Sequence, residues 1–111
     1  MNRVIFIPEV RQYLKDLIPI LYEYGYFSYR ENARKYVKNL VDDIKVNLPT
    51  KLKRPAPQHF TEKYGEGLYY ALFPKSRHTQ WYAFFKMYQK GGEIYYQVRG
   101  IENNHTAAQY F

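Results

Sequence analysis

Residues 81–101 read WYAFFKMYQKGGEIYYQVRGI. Before the glycines, Trp81, Ala83, Phe85 and Met87 alternate with Gln80, Tyr82, Phe84, Lys86 and Tyr88; after them, Ile94, Tyr96 and Val98 alternate with Tyr95, Gln97 and Arg99. A period of two is the signature of a strand whose two faces differ. Gly91 and Gly92 supply the positive φ that a tight hairpin turn demands. The stretch is therefore a β-hairpin with one apolar face and one aromatic and polar face. Gly100 permits a bulge or bend, after which Ile101 can turn inward.

Upstream, GLYYALF (67–73) ends at Pro74, and the basic turn PKSRH leads back into the hairpin. This adds a strand and gives a three-stranded antiparallel meander. Residues 49–67, PTKLKRPAPQHFTEKYGEG, hold three prolines and two glycines and read as a long irregular linker. Before it lie two helical patterns. From Glu9 to about Tyr24, Val10, Tyr13, Leu14, Leu17, Ile18 and Leu21 recur at intervals of three and four, with Pro19 set to kink the helix or end it early. Ser28 and Glu31 form a capping box for a second helix, whose apolar face is Ala33, Tyr36, Val37, Leu40, Val41 and Ile44. The opening RVIFIP is β-branched and aromatic and reads as a strand stopped by Pro8. The fold class is α+β: an N-terminal strand, a helix hairpin, then the meander, with the helices on one sheet face and the other face open. Trp81, Phe85, Ile94, Tyr96 and Val98 are expected to meet Leu14, Leu17, Val37, Leu40 and Val41.

At 111 residues the chain fits one domain, residues 1–111. It has no cysteine, which rules out disulfides and thiolate metal sites. The three histidines, at 59, 78 and 105, lack paired ligand spacing, so neither a metal nor any other cofactor is expected. The short apolar opening is too brief for a signal peptide, and no run approaches the ~18 residues of a membrane span. A soluble, cytoplasmic protein is expected. The net charge is +7, and residues 51–100 carry nine basic against three acidic residues. An electropositive half with fourteen tyrosines suits a phosphate-bearing or acidic partner.

In order, length and basic second half, the chain resembles the RelE/ParE superfamily of toxins from bacterial type II toxin–antitoxin pairs. The resemblance rests on RVIFIP, the helix hairpin to Pro49, and the ending WYAFFKMYQKGGEIYYQVRGIENNHTAAQYF. It implies a metal-independent endoribonuclease that cuts mRNA on the ribosome, an acidic antitoxin as partner, and no membrane. Within the family the alternatives are an inhibitor of DNA gyrase and an inactive relative that binds only its antitoxin. It places Arg99 on the family's last-strand arginine and His105 where members carry a basic or histidine residue. In-line cleavage needs a base for the 2′-hydroxyl, charge on the phosphoryl oxygens, and an acid for the leaving oxygen. Lys75, Arg77 and Arg99 can donate charged hydrogen bonds, and His105 can move a proton near neutral pH. His78 and the pair His59/Glu62 are weaker candidates. Lys51, Lys53 and Arg54 can hold phosphates, and Tyr82, Tyr95 and Gln97 can contact bases.

Overall fold

The computed structural model describes residues 2–111. Strand β1 (Asn2–Phe6) is followed by helices α1 (Pro8–Glu23) and α2 (Arg30–Asn47). A short 3-10 turn leads to β2 (Arg54–Pro55) and α3 (Gln58–Tyr64), then β3 (Tyr69–Pro74), β4 (Gln80–Lys90) and β5 (Glu93–Asn103). The chain ends in α4 (Asn104–Ala107) and a last 3-10 turn. The sheet is five-stranded and mixed, in the order β1-β5-β4-β3-β2. Strands β3, β4 and β5 pair antiparallel in succession, while β1 runs parallel to β5 and β2 adds to the far edge. The meander expected from the sequence is thus the middle of a wider sheet. Gly91 and Gly92 carry φ of 59° and 79°, as the hairpin turn requires.

Helices α1 and α2 pack on one face. Leu14, Leu17, Val37 and Leu40 join Trp81, Phe85, Tyr96 and Val98 in the larger core, and Ile94 and Val41 lean on its rim, as their periodicity predicts. Met87 lies past the reach of the helices and is 37% exposed.

Four local expectations are corrected. The segment 49–67 is not an irregular linker, because Gln58–Tyr64 forms α3, with Pro57 at its start and Gly65 at its end. Proline before the first turn and glycine after the last are helix punctuation, and Phe60 and Tyr64 fall four apart on one face. Helix α1 runs through Pro19. The lost bond falls on the carbonyl of Lys15, an exposed residue, while Leu14, Leu17 and Leu21 hold both sides of the break in the core. Ser28 and Glu31 do not cap α2. Tyr29 is the N-cap in extended backbone with no side-chain bond, so the serine stands one residue too early. The fourth correction concerns the second sheet face, which is not open over its whole length. Helix α3 and the tail cover part of it, burying Phe60, Leu68, Tyr82, Phe84 and Ala107 in a second core. The helices therefore lie on both faces. An aromatic face of this size lowers its free energy by covering itself, at roughly 25 cal/mol per Å² removed from water.

Candidate functional site

The register of the hairpin breaks at one point. Phe84 pairs with Gly100 and Phe85 with Val98, so Arg99 is the extra residue of a β-bulge. A bulge bends its strand and re-aims the side chain it carries. Arg99 Nε donates to the carbonyl of Tyr64 at 2.6 Å, closing the end of α3, and Nη1 donates to Gln97 Oε1 at 2.9 Å. Gly100 follows for a reason of space. A Cβ there would lie 2.3 Å from the Tyr64 ring, which stacks over it and over Phe84.

Strand β1 ends opposite Val98, where the Ile7 amide donates to the Val98 carbonyl at 3.2 Å. Beyond that point no strand among the described residues lies beside the outer edge of β5. The start of α1 and the end of α3 flank this edge and leave a cleft of about 410 Å³. Arg99, Glu102, Lys63, Tyr64, Tyr13 and Glu9 are among its walls. Glu102 accepts from the Tyr64 hydroxyl at 2.5 Å and from Lys63 at 3.0 Å. Both bonds end on Oε2, so Oε1 has room for another donor. Burial, together with the hydrogen bond and charge of Glu102, pushes the Tyr64 phenol well above its usual range. Burial, with a contribution from Glu102, pushes Tyr13 up to about 12. Both phenols stay protonated beside the carboxylate.

Next to the cleft, Lys86 Nζ and Arg99 Nε lie 3.0 and 3.7 Å from the point where a Gly65 side chain would begin. Among the described residues Lys86 has no acidic partner. Two adjacent cations without a carboxylate between them repel one another unless an anion joins them. Tyr88 and Tyr95 continue this open part of the sheet as a parallel stack with centroids 5.2 Å apart. Tyr95 also donates to Glu93, which raises its phenol pKa.

The other sequence candidates are dispersed. Tyr82 is 6% exposed and stacked against Phe111, with centroids 4.6 Å apart, so the chain's own tail occupies the place where a base was expected to stack. Lys75 is tied to Asp43 at 2.9 Å. Lys51 lies over the Phe73 ring, and Lys53 donates to the carbonyls of Pro49 and Lys51. Arg54 is exposed on β2. His59 stacks on Tyr110 at 3.5 Å, and Glu62 accepts from Gln58. Arg77 and His78 sit in the β3–β4 turn, pinned to the tail by Asn104, which donates to the His78 carbonyl and accepts from the Gln80 amide. His105 joins this turn through Thr79 Oγ1, 3.1 Å from Nε2, and lines a different cavity from Arg99.

Arg99 and Gln97 are thus brought together, whereas Arg77 and His105 gather elsewhere. Glu102, Tyr64, Lys63, Tyr13 and Lys86 were not singled out from sequence. The helical punctuation of 57–65 carried the only signal for Lys63 and Tyr64. No family model matches the chain, and no curated protein or solved structure matches it.

Proposed function

We propose that the protein is an RNA-cutting toxin of the RelE/ParE type, held in check by an acidic antitoxin. The observation that carries this reading is the shared cleft of Arg99 and Glu102, in which one carboxylate oxygen is unoccupied by Tyr64 and Lys63. Strand cleavage begins when the 2′-hydroxyl loses its proton and its oxygen attacks the adjacent phosphorus. Glu102 Oε1 takes that proton. Arg99, with Lys86 beside it, stabilises the charge gathering on the phosphoryl oxygens. Lys63 protonates the 5′-oxygen as its bond to phosphorus breaks. The products are a 2′,3′-cyclic phosphate and a 5′-hydroxyl end. The strand enters over Tyr88 and Tyr95, whose stacked faces suit unpaired bases. His105 is not used in this step.

The target is mRNA in the cytoplasm, on the ribosome by the family resemblance. The +7 charge gives an acidic antitoxin segment its electrostatic purchase. No described helix is long and apolar enough to cross a membrane.

The test is expression without antitoxin, followed by mapping of mRNA 5′ ends. Arg99→Ala and Glu102→Gln are each expected to lower cleavage about 10²-fold, the scale of losing one acid–base or charge-stabilising group. Cutting by both variants at the parental rate would refute the cleft. Growth arrest without any cutting would transfer the protein to the gyrase-inhibitor reading.

A further inference from the structure

A second cavity, of about 320 Å³, lies further along α1. Tyr13 borders the cleft and Leu17 borders this cavity, one helical turn or about 6 Å apart. Thr106 lines both, so the cleft and this second cavity adjoin near the chain's end. Trp81 and Tyr36 line it, joined by a 2.8 Å bond from the indole N–H to the phenol oxygen. Phe27 lies against Tyr36 with centroids 5.3 Å apart, and Tyr26 adds a ring that is 71% exposed. The polar lining includes Thr79 and His105. Arg77 follows in the β3–β4 turn, as a cation for a neighbouring phosphate.

We infer that this cavity is a nucleobase subsite that sets the base preference of the strand lying in the cleft. The inference rests on the RNA reading above. Planar aromatic walls with hydrogen-bonding groups at one edge are what an unstacked base requires. Arg77, in the adjoining turn, matches the charge of the strand that would carry it. Thr79 Oγ1 and His105 Nε2 bond each other at 3.1 Å, so the role each group offers a base edge is set by the other, and the pair can discriminate between base edges. Tyr26 thereby acquires a role that neither the core nor the cleft gives it.

Trp81 is the only tryptophan and borders this cavity from the larger core, so its fluorescence is read beside circular dichroism, which separates binding from a change in the core as a whole. The full-length protein is titrated with AMP, GMP, CMP and UMP, and with ribose 5-phosphate as the baseless control. The expected result is a change that ranks the four bases and is absent with ribose 5-phosphate. Tyr26→Ala should weaken the favoured nucleotide at least tenfold, and Thr79→Val should reorder the ranking. Tyr26 is exposed, so its variant keeps the fold. Equal response to ribose 5-phosphate, no response to any nucleotide, or indifference to Tyr26→Ala each overturns the subsite. So does a dimer that Tyr26→Ala dissociates, since a second copy would then fill the cavity. The titration requires no cleavage. A Glu102→Gln protein that still ranks bases supports the subsite, and a parent that ranks bases but cuts nothing refutes the cleavage reading alone.

Discussion

Gly100→Ala adds a single methyl group at the most crowded point of the second core. Gly100 is not among the positive-φ glycines, so the substitution carries no backbone strain, and its effect is purely one of space. The new Cβ would stand 2.3 to 2.6 Å from three atoms of the Tyr64 ring. The ring cannot pivot away cheaply, because its hydroxyl is bound to Glu102 at 2.5 Å and its face stacks on Phe84. Forcing a methyl into a packed site costs about 1–3 kcal/mol. Loss of a hydrogen bond to a charged group adds about 1.5–3 kcal/mol. A total of about 2.5–6 kcal/mol is a large share of the roughly 5–15 kcal/mol that holds a domain folded. At about 4–8 °C per kcal/mol, the melting temperature should fall by at least about 10 °C. The assay is urea unfolding followed by circular dichroism on the parent, Gly100→Ala, Tyr64→Ala and the double variant. Tyr64→Ala should be costly alone, but adding Gly100→Ala to it should cost less than about 0.5 kcal/mol, since the obstacle is gone. A Gly100→Ala protein as stable as the parent, or a penalty that persists without the Tyr64 ring, would refute the packing argument.

Val37→Asp places an unpaired charge among Leu14, Leu40 and Trp81 and should cost several kcal/mol; parental resistance to urea would overturn the facing of α2 on the sheet. At Asp43, burial works to raise the carboxyl pKa, but hydrogen bonds from Asn47 and Lys75 outweigh it and the net shift is downward. The stability this contributes is present above the ordinary value of 3.8 and is lost as pH falls through the lowered folded value. Asp43→Asn should therefore be less stable than the parent at pH 7, by about 1 kcal/mol, and should converge with it near pH 2 in urea titrations. Tyr13 and Tyr64 are raised above 10, so the folded state keeps protons that the unfolded state releases. Stability should decline from pH 10 upward, and ultraviolet titration of the Tyr13→Phe, Tyr64→Phe protein should lack the last phenols to ionise.

Local pattern was enough to place the strands of the hairpin, the two long helices and the apolar faces that join them. Period two and period 3.6 are written residue by residue, and Gly91–Gly92 leaves few choices for the turn between β4 and β5. Sequence also singled out Arg99, as the charged member of the polar face of the last strand and, by resemblance, the family's last-strand arginine. Its surroundings were not legible. The bulge that re-aims Arg99 is a matter of register between two strands, which neither strand encodes alone. Lys63 and Tyr64 lay in a segment whose prolines masked seven residues of helix, too short for its periodicity to stand out. Glu102 gains its partners only because α3 crosses from β2 to β3 and sets Lys63 and Tyr64 beside β5, across 38 residues or more of chain. The fate of the second sheet face was likewise tertiary. Tyr82 and Phe84 alternate like residues of an open strand, but α3 and the tail supply the apolar cover that removes them from water, leaving Lys86, Tyr88, Tyr95 and Gln97 as the part still accessible. Alternation tells which residues share a face; what covers that face depends on segments distant in sequence, whose docking is decided by the area they bury.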